Sequence, residues 1–338
     1  MWMEGSTSSA YRMWFQHMDI NRIPFYQYNT IIVGTGAAGL NAAVTLHKLG
    51  QKNIALITEG RYMGTSRNTG SDKQTYYKLT QCGSEPDSVG KMAETLFDGG
   101  CVDGDIAMAE AAGSLRAFYH LVDIGVPFPF NRSGEYVGYK TDHDPLKRGI
   151  SAGPLTSKYM TECLERQAEE LGIPFFDGYQ AVRLLTEEKD GEKRAAGIIA
   201  LNKRKAASAD ERYAVFSAVN IIWATGGEAG MYQASVYPVS QTGGMGILLE
   251  AGAVAKNLTE SQFGIASVKH RWNLSGTFQQ CLPRYISAEQ DGSREREFLN
   301  DYFDTPGQLL TAIFLKGYQW PFDPRKVEGQ GSSLIDLL

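Results

Sequence analysis

Hydrophobic and polar positions change period in a regular order along the chain. Tyr28 to Val33 is a run of β-favouring residues ending at glycine, which predicts a buried strand. Ala38 to Leu49 places Leu40, Ala43, Val44 and His47 on one stripe, which predicts a helix stopped by Gly50. Ile54 to Thr58 reads as the next strand. Strand, helix and strand in such close succession make a βαβ unit, with a parallel pair and a right-handed crossover. Further helices are predicted over 85–98, 104–124, 153–171 and 243–253, and strands over 180–185, 195–202, 213–216 and 218–223. Segments 60–80 and 125–154 are rich in polar residues and glycine and predict loops. The charged run Glu187 to Arg194 predicts a solvated turn. Past about residue 257 aromatics, Arg and Pro increase and the periodicity fades. The pattern therefore predicts an α/β chain with a flexible leader at 1–24, a main domain at 25–256 and a second domain at 257–338.

Chemistry enters at the first strand–helix turn. Gly34-Thr35-Gly36-Ala37-Ala38-Gly39 fits the G-x-G-x-x-G pattern, and Glu59 lies twenty residues past Gly39 at the end of the second strand. The pattern has a physical logic. Its first glycine permits a tight turn and its second lets backbone approach a pyrophosphate. Its third lets helix and strand pack closely, and the helix N-terminus faces the negative phosphates. Glu59 can accept hydrogen bonds from ribose hydroxyls. NAD and FAD share this fingerprint, and a glycine turn without a ligand is the plainer alternative.

A second segment narrows the choice. Asn220-Ile-Ile-Trp-Ala-Thr-Gly-Gly227 is an apolar strand ending in Ala224-Thr225-Gly226, with Glu250-Ala-Gly-Ala253 further on. It resembles the Ala-Thr-Gly strand of flavoproteins with the two-dinucleotide fold. An NAD(P)-dependent dehydrogenase would account for the first motif but not for this one.

Taken with the loop Gly64-Thr65-Ser66-Arg67, with Gly153 to Ser157 and with Gln241 to Ala253, these motifs resemble one family. It is the flavoprotein subunit family of fumarate reductases and succinate dehydrogenases, with L-aspartate oxidase, urocanate reductase and 3-ketosteroid dehydrogenases as relatives. The resemblance covers about residues 28–263 well and the rest weakly. It implies a two-dinucleotide-fold (Rossmann-like) FAD-binding domain with an inserted α+β capping domain, of which 257–338 would be part. It places residues 64–67 near the pyrophosphate and flavin, and brings Val182 to the adenine through its backbone. It implies hydride transfer between flavin N5 and an activated carbon–carbon bond of a small unsaturated acid or carbonyl compound.

Three departures limit the carry-over. The family's Thr-Gly-Asp-Gly stretch stands here as Gln241-Thr242-Gly243-Gly244, without the acid. Its Gln-Phe-His-Pro stands as Gln262-Phe263-Gly264-Ile265, without the substrate-binding His. Positions 64–72 hold no His, so the expected FAD is non-covalent. Arg284, in Cys281-Leu-Pro-Arg-Tyr-Ile286, is the nearest counterpart of the family's proton-donating Arg. A guanidinium is a weak acid, so that role needs a carboxylate relay, and a bidentate clamp on a substrate carboxylate is the other possibility. His270 and Arg271 follow the segment that lacks the His and are the candidates to replace it. A structural or surface role is the alternative for all three. Family members continue into a third glycine-rich segment, so this chain, ending at Leu338, reads as C-terminally truncated. The competing possibility is a non-catalytic or fragmentary FAD-binding chain.

Composition adds exclusions. A net charge of -5 offers no basic patch for nucleic acid. The 338 residues contain no apolar run long enough to span a bilayer, and the N-terminus lacks a signal-peptide pattern. Four cysteines, none in a CxxC pair, predict neither zinc nor a disulfide framework and suit a reducing, cytoplasmic setting. Without a haem-attachment CxxCH, electrons would pass to or from a separate protein or carrier.

Overall fold

Apolar runs and glycine turns build one rolled sheet in the computed structural model of the chain. The structure describes residues 23–69, 74–83, 85–98, 102–140, 144, 146–208, 211–227, 237–238, 241, 243–256, 266–267, 272–273, 279 and 281–317. In chain order its elements begin with β1 (Phe25–Val33), α1 (Ala37–Lys48), β2 (Ile54–Thr58), α2 (Thr65–Asn68), β3 (Tyr76–Tyr77), α3 (Val89–Asp98) and α4 (Gly104–Asp123). They continue with β4 (Gly149–Ile150), α5 (Thr156–Glu170), β5 (Phe175–Asp177), β6 (Tyr179–Lys189), β7 (Glu192–Asn202), β8 (Tyr213–Trp223) and α6 (Met245–Glu250). Short strands β9 (Ala266–Ser267) and β10 (Trp272–Asn273) and helix α7 (Pro306–Gly317) follow.

Contacts divide the chain into two units, with breaks after Thr69, Thr156 and Ala255. The second unit therefore takes in the segment from Gly70 to Thr156 as well as everything after Ala255, a different partition from 25–256 and 257–338.

In the first unit the strand order is β5-β2-β1-β8-β7-β6. β5, β2, β1 and β8 are parallel, while β8, β7 and β6 run antiparallel. The end strands of this order, β5 and β6, are separated in sequence by Gly178 alone, so the sheet rolls around on itself. Gly178 makes the corner at φ +88°. Inside lie Ile31, Val33, Ile57, Ile198, Ala200, Ala214, Phe216 and Ala218. Tyr26, Phe176, Tyr179 and Phe216 pack ring against ring there, with centroids 4.7 to 5.9 Å apart. Both faces of β2 are covered, which is why Ile54 to Thr58 is an unbroken apolar run.

Several expectations are corrected. β1 begins at Phe25, three residues early, because Phe25, Tyr26 and Gln27 find partners along β8. The leader expected at 1–24 gives up its last residues. Ile23 is buried and the Pro24 carbonyl accepts from Val215 N–H, while residues 1–22 lie outside the described part. The charged run 187–194 is two paired strand ends rather than a turn, and only Asp190 and Gly191, both at positive φ, make the turn. Cross-strand pairing of Glu187 with Arg194 and Glu188 with Lys193 lets exposed strands carry alternating charge. Residues 213–223 form one strand instead of two, and β5, which the periodicity missed, is three residues long.

In the second unit α3 and α4 pack through Met92, Ala93, Ala107 and Ala111. The pair β3–β4 is antiparallel and sits on Arg148, a fully buried guanidinium held by Asp87, Asp144, Thr95 and Tyr77. Among the described residues no helix is long and apolar enough to cross a membrane, and no group of three or more His, Cys, Asp or Glu could hold a metal ion.

Candidate cofactor site

The site is built where β1, β2 and β8 end side by side. Gly34 N–H donates to the Ile57 carbonyl at 2.8 Å, and Ala224 N–H donates to the Val33 carbonyl at 2.7 Å. The last rungs of three strands thus fix the glycine turn. Gly34 adopts φ +110°, and a Cβ on it would stand 2.2 Å from the Ala224 carbonyl oxygen. A Cβ on Gly39 would stand 2.0 Å from the Gly34 carbonyl oxygen. Both glycines are therefore demanded by packing of α1 against the sheet. Gly36 is different. Its φ of -76° suits any residue, and the nearest atom to a Cβ is Ser66 Oγ at 3.3 Å. The backbone at Gly36 is bare on a side that the fold leaves open.

Helix α1 begins there with no side-chain cap and no acidic residue in its first turn. Its first N–H groups and its dipole suit an anion. Ala37 N–H donates to Ser66 Oγ at 3.2 Å, which holds the 64–67 loop against the turn, and Ala38 is exposed beside it. Buried Thr35 Oγ1 donates to Thr58 Oγ1 at 3.0 Å and ties the turn to the end of β2. Glu59 follows Thr58. It is partly exposed, with Lys203 Nζ 3.3 Å from its Oε2.

The loop after β2 is held from α5. Arg61 Nε donates to Glu165 Oε1 at 2.9 Å, Nη2 reaches Glu169, and the guanidinium lies over the Phe175 ring with 4.0 Å to its centroid. Arg67 pairs with Glu165 and Glu162. Thr65 Oγ1 and Arg67 Nε are buried without a hydrogen-bond partner among the described residues. At the end of β8, Thr225 Oγ1 and Trp223 Nε1 are likewise buried without partners. They flank Gly244, whose Cβ would stand 2.6 Å from the first and 2.8 Å from the second. Gly226, at φ +81°, passes Gln241 closely in the same way.

Buried donors without acceptors are uncommon in folded proteins, and several beside one open glycine turn suit a polar ligand. Gly34, Gly36, Ala37, Ala38, Gly39, Glu59, Gly64, Thr65, Ser66, Ala224, Thr225 and Gly226 all belong to this group of turns and strand ends. Val182 has a different setting, at a register shift in β6, packed with Ile23, Leu185, Ile199 and Val215. Arg284 belongs to the second unit, is 71% exposed and is ion-paired with Glu297. That hydrogen bond holds the Glu297 carboxyl below the usual carboxylate range. His270 and Arg271 lie outside the described residues. Tyr76 packs with Phe118 and Phe128, and burial pushes its hydroxyl up to about 12.

Sequence reasoning passed over Lys203, Trp223 and the Arg61–Glu165–Arg67 chain. Lys203 is 144 residues from Glu59, and a basic residue after a strand carries no local signal of its acidic partner.

The FAD binding domain family model matches residues 29–294. The L-aspartate oxidase of Agrobacterium fabrum is 28% identical over 242 residues, 69% of this chain and 42% of that protein. The succinate dehydrogenase flavoprotein subunit of Coxiella burnetii is 24% identical over 257 residues, 70% of this chain and 40% of that protein. Among solved structures, E. coli quinol fumarate reductase superposes with a TM-score of 0.64 at 20% identity, covering 88% of this chain and 50% of that one. The open conformation of a flavocytochrome c3 fumarate reductase gives 0.63 at 18% identity, covering 84% and 52%. The chain spans less than half the length of these curated relatives, 42% and 40%. The mixed, largely parallel sheet agrees with that fold, and its glycine turn and unpaired donors fit the cofactor. With its match covering most of the sequence, the chain belongs to the FAD binding domain family, and FAD is its cofactor.

Proposed function

We propose that the chain is an FAD-dependent oxidoreductase that moves hydride between flavin N5 and an activated carbon–carbon bond of a small unsaturated acid or carbonyl compound. The observation that carries this is the open backbone at Gly36 between two glycines that the fold itself requires. The first N–H groups of α1 and the hydroxyls of Thr65 and Ser66 hold the pyrophosphate. Glu59 accepts from the adenosine ribose, and the backbone near Val182 meets the adenine. Ala224, Thr225 and Gly226 would lie along the bound cofactor, with Thr225 Oγ1 as a donor left over for it. FAD is held without a covalent bond, and bound FAD supplies a two-electron acceptor and donor at N5.

The protein's own part is to position the reacting carbon, exclude water and exchange a proton at the neighbouring carbon. Arg284, His270 and Arg271 are the candidates for that exchange or for clamping a carboxylate. Electrons arrive from, or leave to, a separate donor or acceptor. A second reading, FAD binding without turnover by this chain, is favoured by the exposure of Arg284 and its engagement with Glu297.

The test is a visible spectrum of the purified, undialysed chain, followed by a dye-coupled panel of unsaturated acids and carbonyl compounds. A flavin spectrum bleached by dithionite, with turnover of one panel member, supports the proposal. A flavin spectrum without turnover favours the second reading. A colourless chain that takes up no added FAD overturns both.

A further inference from the structure

The exposed pair Lys203–Glu59 has a scaffold that an incidental surface ion pair would not need. Lys203 opens the short 3-10 turn Lys203–Lys205 after β7. Its backbone N–H donates to the Gly178 carbonyl at 2.8 Å, and Gly178 N–H donates to the Thr58 carbonyl at 2.9 Å. Thr58 is the residue before Glu59. Two backbone hydrogen bonds therefore link the root of Lys203 to the root of Glu59, across 144 residues of sequence. Two more contacts keep the turn in place. Asn202 Oδ1 accepts from Arg204 N–H at 3.1 Å, and the Arg204 guanidinium pairs with Asp177 at the end of β5. Gly178 completes the corner, since at φ +88° its missing Cβ would meet Arg204 Nε at 3.2 Å.

The neighbouring cations have carboxylates of their own. Arg204 pairs with Asp177, Lys205 with Glu211, and Arg61 with Glu165 and Glu169. Lys203 is the basic residue delivered to Glu59, with Nζ 3.3 Å from Oε2. An ionised carboxylate has about four lone-pair sites. Among the described residues this ammonium contact at Oε2 leaves Oε1 without a partner and leaves Oε2 able to accept again. The contact favours one Glu59 rotamer before a cofactor arrives, which would remove part of the ordering cost of binding.

We propose that Lys203 is a positioning residue for the adenosine end of FAD, acting through Glu59 by holding its carboxylate in the orientation that receives the ribose hydroxyls. The inference rests on the reading of Glu59 as the ribose acceptor.

The test is a double-mutant cycle on the full chain, with FAD affinity read from flavin fluorescence and folding from urea melts. The proteins are wild type, K203M, K203Q, K203R, E59Q and E59Q/K203M. K203M and K203Q should each bind FAD roughly tenfold more weakly, and K203R should recover most of the loss. In the E59Q background, K203M should change affinity less than about twofold, because the lysine has no carboxylate left to orient. Lys203 is 41% exposed, so its variants should melt like wild type. Wild-type affinity in K203M and K203Q would overturn the inference and leave the FAD reading standing. An equal tenfold loss in the E59Q background would also overturn it, since the lysine would then act on the cofactor or the fold directly. Wild-type affinity in E59Q would refute the ribose reading beneath it. Failure of the wild-type chain to bind FAD would overturn that reading and this one together.

Discussion

Replacing Gly36 with alanine separates what the fold requires from what the cofactor requires. Gly36 has φ -76° and ψ -177°, an extended conformation open to any residue. Its new methyl group would meet Ser66 Oγ at 3.3 Å, and that side chain has to yield only a few tenths of an ångström. Alanine is a poorer N-cap than glycine, while the less flexible unfolded chain offsets this, so apo stability should change by less than about 1 kcal/mol. Binding should respond differently. A methyl group on the approach to α1 displaces a pyrophosphate from the N–H groups beyond it. Two charge-assisted hydrogen bonds at roughly 1.5–3 kcal/mol each predict a loss of about 3–6 kcal/mol, or roughly two-hundredfold to twenty-thousandfold in FAD affinity. Gly34→Ala and Gly39→Ala supply the contrast, because their methyl groups would lie 2.2 and 2.0 Å from backbone carbonyl oxygens. Those carbonyls lie one residue past β8 and β1, where the N–H groups of Ala224 and Gly34 are hydrogen-bonded to Val33 and Ile57, so both variants should lose about 3 kcal/mol or more of apo stability. Urea melts of the apo chains and fluorescence titration with FAD measure the two quantities. The reasoning fails if Gly36→Ala binds FAD like wild type, or if it unfolds as readily as Gly39→Ala.

Three more outcomes follow from particular contacts. Glu165 is nearly buried between Arg61 and Arg67, and Glu165→Ala leaves Arg61 with Glu169 and Arg67 with its looser contact to Glu162, so it should cost about 2–3 kcal/mol in a urea melt. Glu169→Ala, at an exposed carboxylate, should cost under about 1 kcal/mol, and equal losses would refute this account. In the second unit burial raises the Asp87 carboxyl, but Arg148 and the N–H groups of Thr80 and Ser88 outweigh it and leave it below its ordinary value. Its ionised form contributes stability above its unfolded pKa of about 3.9, lost as pH falls through the lower folded value. Asp144 is raised by burial, so its contribution is present below the unfolded pKa and lost as pH rises through the folded one. Asp87→Asn should therefore cost roughly 2–4 kcal/mol more than Asp144→Asn at pH 7, with the gap closing toward pH 3, and melts showing the opposite order would sink the assignment. Thr225→Val keeps the side chain's shape and removes a buried hydroxyl that has no partner among the described residues, so apo stability should stay within about 1 kcal/mol, and a larger fall in the melt would mean that the hydroxyl is satisfied.

The sequence by itself determined the first βαβ unit, because its signals are local. Three closely spaced glycines, an apolar stripe on α1 and a fully buried β2 are each written within a few neighbouring residues. The strand ending in Ala224-Thr225-Gly226 was legible for the same reason. Only the tertiary structure decided the rest. Rolling of the sheet depends on pairing β5 with β2 and β6 with β7, which no short window encodes. The charged run at 187–194 misled because polarity marks exposure, and exposed strand ends are as polar as turns. Gly34, Gly36 and Gly39 look alike in the sequence, yet their distances to Ala224, Ser66 and Gly34 show that packing demands the first and third and leaves the second open. Lys203 reaches Glu59 only through backbone hydrogen bonds at a corner closed by Gly178. Arg284, the counterpart of the family's arginine by resemblance, lies on the surface beside Glu297, since type and position in sequence do not fix which way a long side chain turns. Local patterning fixes which elements form, whereas long-range pairing and close packing fix which side chains meet.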